Sequence, residues 1–191
     1  MLVLSKHPGN NTIMVNISSL DNQIKSLELP IERDQFLRTM IRELAGTLQD
    51  VVGVEQAEGF LNVVGYRTGK HVNQLYQNAL QLSNLSRDQV TAVLVDWKRR
   101  IQGDFYVIEE TDEKIVLGNR RCPFAEQVEG REAMCVMTSN IFGAITADNL
   151  GYARVELQDT IARGAQECKI VIHLKPSEVL DEFATQEYFK A

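Results

Sequence analysis

Cys122, Cys135 and Cys168 are the chain's three cysteines, and all fall between Asn119 and Pro176 together with His173, the last of three histidines. Twelve residues separate the first pair and thirty-two the second, which is not the paired C-x-x-C spacing of a zinc ribbon. The thiolate is the form of cysteine that binds metals and attacks electrophiles. Three thiolates held together repel one another and call for a cation between them, so a zinc ion or an iron–sulfur cluster is the chemistry this set suggests. A fourth ligand could be His173, Glu156 or water. A bland reading stands beside this one, in which small buried thiols serve as hydrophobes. In an enzymatic reading, Cys122 or Cys135 attacks with His71 or His173 as base, but no residue offers itself as the third member of a triad.

A second set lies upstream. Gly59, Gly65 and Gly69 interrupt a helical pattern near Tyr66 and His71, each at a cost of up to about 1 kcal/mol relative to alanine. They would leave room either for close helix packing or for a small apolar ligand bounded by Tyr66, His71 and Trp97. The run Gly65-Tyr-Arg-Thr-Gly-Lys70-His71 is not a phosphate loop. Only three residues separate its glycines, and a histidine stands where Ser or Thr must meet magnesium.

The elements that would position these residues follow from periodicity. Pro30 opens a helix whose stripe is Phe36, Leu37, Met40, Ile41, Leu44 and Leu48, with Glu32 and Asp34 in its first turn and Gly53 closing it. A second helix spans about 55–82. Ser86-Arg-Asp-Gln89 is a capping box for a third, with the stripe Val90, Val93, Leu94, Trp97 and Ile101. The triplet Lys98-Arg99-Arg100 reads as its solvated end. Phe105–Glu110 and Lys114–Gly118 form a hairpin about Thr111-Asp112-Glu113. Ala133–Asn149 is helical again, ending at Gly151, and strands follow at 152–157 and 168–174. The tail from Glu178 is expected to add a short helix. The order α-α-α-β-β-α-β-β gives an α+β fold, N-terminal helices packed on a small antiparallel sheet with a crossing helix. In this model Cys122 ends the hairpin, Cys135 starts a helix and Cys168 starts the last strand, so three element ends can meet at one edge of the sheet.

Composition narrows the function. The net charge of −6 lacks the basic field that general nucleic-acid binding needs. No apolar run approaches a membrane span, and the N-terminus has no signal-peptide pattern, so a cytoplasmic protein with free thiols is expected. Three domains of sequence result: an N-terminal arm over 1–29, with a short strand near 14–17; a body over 30–176; and a tail over 177–191. The stripe at the edge of the body predicts a homodimer in which residues 1–50 take part.

Several stretches carry a family resemblance: Cys122-Pro-Phe, Met134-Cys135-Val-Met-Thr-Ser, Ile141-Phe-Gly-Ala-Ile, Leu150-Gly-Tyr-Ala-Arg-Val-Glu156 and Ala162-Arg-Gly, with Glu167-Cys168. Upstream, residues 29–37 and 96–105 join them. Over about 29–176 the chain resembles the methanogen output domain type 1 family, itself similar to 4-vinyl reductase-like sensor domains. The resemblance implies a dimeric, non-catalytic sensory module that passes its signal to a partner protein. Vinyl-reductase-type sensors carry zinc on an early Cys, a Glu-x-x-Cys and a Cys eight residues later. Here Cys168 matches the last ligand, but Thr160 and Leu157 stand at the preceding Cys and Glu, and Glu156 is one position out of register. A metal here must therefore use Cys122, Cys135 and Cys168. The expected function is a sensor or signalling module holding zinc or an iron–sulfur cluster, with room for a small-molecule ligand. The alternatives are a cysteine-dependent enzyme or a ligand-free dimeric interaction protein.

Overall fold

A computed structural model describes residues 2–5, 13–29, 31–176 and 185–190. The chain divides into two compact units, Met1–Phe36 and Leu37–Ala191. In the first, β1 (Leu2–Ser5) and β2 (Ile13–Asn16) pair antiparallel, Leu2 opposite Asn16, and α1 (Ile17–Lys25) follows directly. The short strand expected near 14–17 is β2. The rest of the supposed arm is more regular than its sequence suggests, with a second strand and a helix. The break at Pro8–Asn11 lies outside the described residues.

The helix expected after Pro30 is α2 (Arg33–Val52). Gly53, at φ 86°, separates it from α3 (Val54–Leu80) in a conformation that glycine adopts without strain. α4 (Arg87–Arg100) begins at the capping box: Gln89 N–H donates to Ser86 Oγ, and Ser86 N–H donates to Gln89 Oε1. The hairpin forms as β3 (Phe105–Glu110) and β4 (Lys114–Asn119). Helix α5 (Glu132–Leu150) is buried without a break from Ser139 to Ala147, as a helix packed on two sides must be. It runs between α3 and the sheet. Strands β5 (Tyr152–Asp159), β6 (Cys168–His173) and β7 (Thr185–Phe189) complete a five-stranded antiparallel sheet in the order β3-β4-β6-β5-β7. This is the expected α+β architecture. Among the described residues, no helix is long and apolar enough to cross a membrane.

One element departs from its expectation. The tail was to carry a helix, but its described part is the edge strand β7, with Tyr188 opposite Ala153 on β5. The alternation of Gln186, Tyr188 and Lys190 with Glu187 and Phe189 is a strand period. Burial follows it: Tyr188 is buried and Phe189 exposed. Residues 177–184 lie outside the described residues.

The core joins the inner face of the sheet (Ile115, Leu117, Ala153, Val155, Ile170, Ile172) to Phe142 and Ile145 of α5 and Val90 and Leu94 of α4. Phe142 meets Trp97 and Phe105 edge-on, with ring centroids 6.0 and 5.7 Å apart.

Candidate functional site: a thiol cavity around a buried lysine

The end of β4 sets the first wall. Asn119 is buried and pairs with Cys168 at the start of β6. Cys122 follows three residues beyond the strand, and its carbonyl accepts the N–H of Ala125 (2.9 Å) at the head of a 3-10 turn over Ala125–Val128. Cys135 stands in the first turn of α5, and Thr138 is three residues on, on the same face. A bulge in β5 between Leu157 and Asp159 leads the chain into a second 3-10 turn, Ile161–Arg163. From there the Ile161 N–H donates to Cys168 Sγ at 3.4 Å. Asn119 Nδ2 donates to the same sulfur at 3.6 Å. Such donors favour the charged form of an acceptor and are the contacts that tune metal-bound sulfur.

These segments enclose a cavity of about 30 Å³ lined by all three cysteines, with Lys98, Phe105, Pro123, Met134 and Thr138 among its other walls. That is about one water molecule's share of liquid volume. The cysteines are all free thiols. Among the described residues, no three His, Cys, Asp or Glu side chains are gathered as a preformed metal-ligand group. The three sulfurs border a common space without forming a closed coordination shell.

Lys98 is the residue that sequence reasoning missed. Its basic triplet reads in sequence as a solvated helix end, yet the three side chains part company. Arg99 and Arg100 are exposed and pair with Asp96, whereas Lys98 is 1% exposed. Its ammonium donates to Thr138 Oγ1 at 3.0 Å and lies 4.3, 5.1 and 5.3 Å from the ring centroids of Trp97, Phe105 and Phe142, within cation–π range. Burial pushes its pKa from 10.5 down to about 8, and the charges opposing that shift are those of Cys122, Cys135 and Cys168. Among the described residues, no carboxylate contributes. The signal was present in the spacing: Val90, Leu94 and Lys98 recur every fourth residue, so Lys98 continues the buried stripe. Ile101, assigned to that stripe from sequence, is 40% exposed.

Burial acts on the thiols in the opposite sense. It raises Cys122, against a backbone hydrogen bond at Phe124 and the Lys98 charge, and it pushes Cys135 up to about 12. Burial thus favours the neutral thiol at Cys122 and Cys135.

The structure does not bring His173 to the cysteines. In β6, Cys168, Ile170 and Ile172 face the helices, and His173 falls on the opposite face by the strand's period of two. There its Nε2 lies 3.0 Å from Oε2 of the buried Glu156, so both non-cysteine protein candidates for a fourth ligand belong to another site. His71 does not line the cavity either, and it is exposed on α3. Neither histidine is therefore placed to act as base for a cavity cysteine.

Tyr66, His71 and Trp97 are likewise not assembled. Tyr66 and His71 are five residues apart on α3, so their side chains diverge by about 140°. Tyr66 borders an open groove of about 530 Å³ with Asn62, Arg67, Asn140 and Tyr188, whereas Trp97 is half-buried and packs against the core. The room expected beside Gly65 and Gly69 is filled by α5. A Cβ on Gly65 would lie 2.6 Å from Asn140 Cβ and 2.7 Å from the Met137 carbonyl oxygen, and one on Gly69 would lie 2.8 Å from Ala144 Cβ. These two glycines serve helix contact, while Gly59 has open space around it.

A separate apolar groove of about 300 Å³ is lined by Ile41, Leu44, Ala45 and Leu48 of α2, Leu61 and Val64 of α3, and Met134 and Met137 of α5. Leu44 is 66% exposed, and Met40 of α2 and Phe60 of α3 are exposed on the same helices.

The model of the family described as methanogen output domain 1 matches residues 40–173, more than two thirds of the chain. No curated protein matches. Among solved structures, the phenol-responsive sensory domain of the transcription activator PoxR with phenol is similar at a TM-score of 0.56 and 14% identity, covering 82% of this chain and 89% of that one. A trafficking protein particle complex subunit 3 from Naegleria fowleri, covalently bound to palmitic acid, is similar at a TM-score of 0.52 and 14% identity, covering 74% and 97%. At that identity the likeness is one of fold.

Proposed function

Because this chain belongs to the methanogen output domain 1 family, we propose that it is a non-catalytic signalling module whose responsive element is the cavity of Cys122, Cys135 and Cys168. Output-domain membership and the fold shared with a sensory domain support the signalling part. In this reading the cavity holds one thiophilic metal ion in a reducing, cytoplasmic setting, and occupancy is passed to a partner protein. A single observation carries it: cysteines from three distant segments border one small space around a lysine that no carboxylate among the described residues balances. The volume suits one ion such as zinc. An iron–sulfur cluster, with its several irons and sulfides, needs far more room. The donor set fits zinc, which accepts three protein sulfurs and leaves a fourth position to an exchangeable ligand. Binding requires the thiols to lose their protons and draw inward, so it couples to the packing of β4, α5 and β6.

The test is metal content and melting temperature of the reduced chain loaded with zinc, beside Cys122→Ser, Cys135→Ser and Cys168→Ser. One zinc per chain is expected, with each variant losing metal and zinc-dependent stabilisation together. A variant that keeps full stoichiometry removes its cysteine from the set. A wild-type chain whose thiols stay equally reactive toward iodoacetamide with and without excess zinc overturns the reading.

The apolar groove favours a companion proposal, that the module is a homodimer formed through α2 and α3. A face bearing Met40, Ile41, Leu44, Phe60 and Val64 in partial or full exposure is more apolar than isolated surface residues require. The phenol and palmitic acid of the two similar structures suggest a small apolar ligand as the competing occupant. Light scattering should give twice the monomer mass of 21.6 kDa, and Leu44→Glu should return the monomer. A wild-type monomer at micromolar concentration sinks the dimer.

A further inference from the structure

Resting on the thiolate reading above, we infer that Lys98 sets the charge specificity of the cavity, making its three cysteines a site for a divalent ion in preference to trivalent arsenic. A divalent ion displaces three protons from three thiols and leaves a tris-thiolate complex of net charge −1. Arsenite condenses with three thiols, releases three waters and leaves a neutral tris-thiolate. Both reactions balance without an oxidant or reductant, and both need the same three sulfurs. They differ in the charge left behind in a site lined largely by apolar atoms beside a buried ammonium.

The residues around the cavity decide which product is favoured. Lys98 is fully buried, its one hydrogen bond goes to a neutral hydroxyl, and its other near neighbours are the faces of Trp97, Phe105 and Phe142. Aromatic faces stabilise a cation but do not neutralise it. Among the described residues, the groups that could balance it are the three cysteines, and only as thiolates. An anionic complex in the cavity would supply the counter-ion that Lys98 lacks, and the pair would sum to zero. A neutral arsenic complex would leave the ammonium uncompensated. Two N–H donors on Cys168 Sγ point the same way, since they favour a sulfur that carries negative charge.

The experiment titrates the reduced full chain and its Lys98→Met variant with cadmium chloride and, separately, with sodium arsenite. Sulfur-to-metal absorption in the ultraviolet reads both. The expected result is that Lys98→Met weakens cadmium binding on the order of 100-fold, as removing one partner of a buried ion pair does. Arsenite affinity should stay within about threefold of wild type. Retained arsenite binding also shows that the variant is folded; if Lys98→Met fails to fold, Lys98→Gln replaces it in the same comparison. Equal losses for both probes, or no loss for cadmium, overturn the role of Lys98 and leave the metal reading standing. A wild-type chain that binds neither probe with three sulfurs removes both.

Discussion

Gly65→Ala is expected to destabilise the protein by about 2 kcal/mol, whereas Gly59→Ala in the same helix is expected to stabilise it by up to about 1 kcal/mol. Alanine gains helix propensity at either position. At Gly59 nothing lies within 4 Å of the new methyl group, so only that gain remains. At Gly65 the methyl meets Asn140 Cβ at 2.6 Å and the Met137 carbonyl oxygen at 2.7 Å. The second contact is backbone and cannot swing away, so α3 and α5 must separate. Separation also strains the hydrogen bond from Asn140 Nδ2 to Asn62 Oδ1 (2.6 Å) that crosses the same interface. Overpacking of this kind costs roughly 1–3 kcal/mol or more, which exceeds the propensity gain. Urea denaturation of both variants checks the pair. Equal effects of one sign would mean that α3 and α5 are not in contact at Gly65.

Lys98→Met should stabilise the metal-free protein at pH 7 by about 2 kcal/mol. Lowering the pKa from 10.5 to about 8 corresponds to roughly 3 kcal/mol against the ammonium, and loss of the bond to Thr138 returns about 1 kcal/mol. The pH profile carries the sign. Between pH 8 and 10.5 the unfolded chain holds the Lys98 proton and the folded chain does not, so wild-type stability rises with pH from about 8. Cys135 works against this: its folded thiol keeps a proton toward about 12 while the unfolded one loses it near 9.0, so stability falls above pH 9. Above pH 9 the opposite slopes of Lys98 and Cys135 offset each other, and Cys122, raised in the same sense as Cys135, tips the balance downward. In chelator and reductant, wild-type stability should therefore rise from pH 8 to about 9 and then level off or fall, whereas Lys98→Met should be flat to that point and decline more steeply. Denaturation midpoints from pH 6 to 10.5 measure it. A destabilised variant at pH 7, or a wild-type profile flat between pH 8 and 9, would show that Lys98 is not held against its own desolvation.

The destabilising lysine and the candidate function belong together. A buried charge without a counter-ion costs stability in the metal-free protein, and in the proposed reading an anionic complex in the cavity would recover that cost on binding. The energy difference between the two states is what a signalling module needs to bias its partner. In the proposed reading, Cys122 and Cys135, both raised by burial, would release their protons as metal binds.

Sequence alone determined the order of helices and strands from α2 to β6, because apolar period, capping boxes and glycine stops are local; the strand β7 and the arm's β1 and α1 escaped it. Ser86 and Gln89 announce α4, and Gly53 and Gly151 stand where α2 and α5 end. It also determined that Cys122, Cys135 and Cys168 lie at the ends of a strand, a helix and a strand, from which a shared edge could be expected. Face and depth were settled only by the tertiary structure. Strand period sends His173 away from Cys168 once the sheet fixes which face meets the helices, and that choice depends on α5 from another part of the chain. Gly59, Gly65 and Gly69 are the same residue in one helix, and only the position of α5 separates a contact from an open surface. The sequence Lys98-Arg99-Arg100 is one basic run, yet the helix turns Lys98 into the core and leaves Arg99 and Arg100 in solvent. Its partner Thr138 is forty residues away, and the three rings around it come from α4, β3 and α5, so its environment exists only after those elements pack.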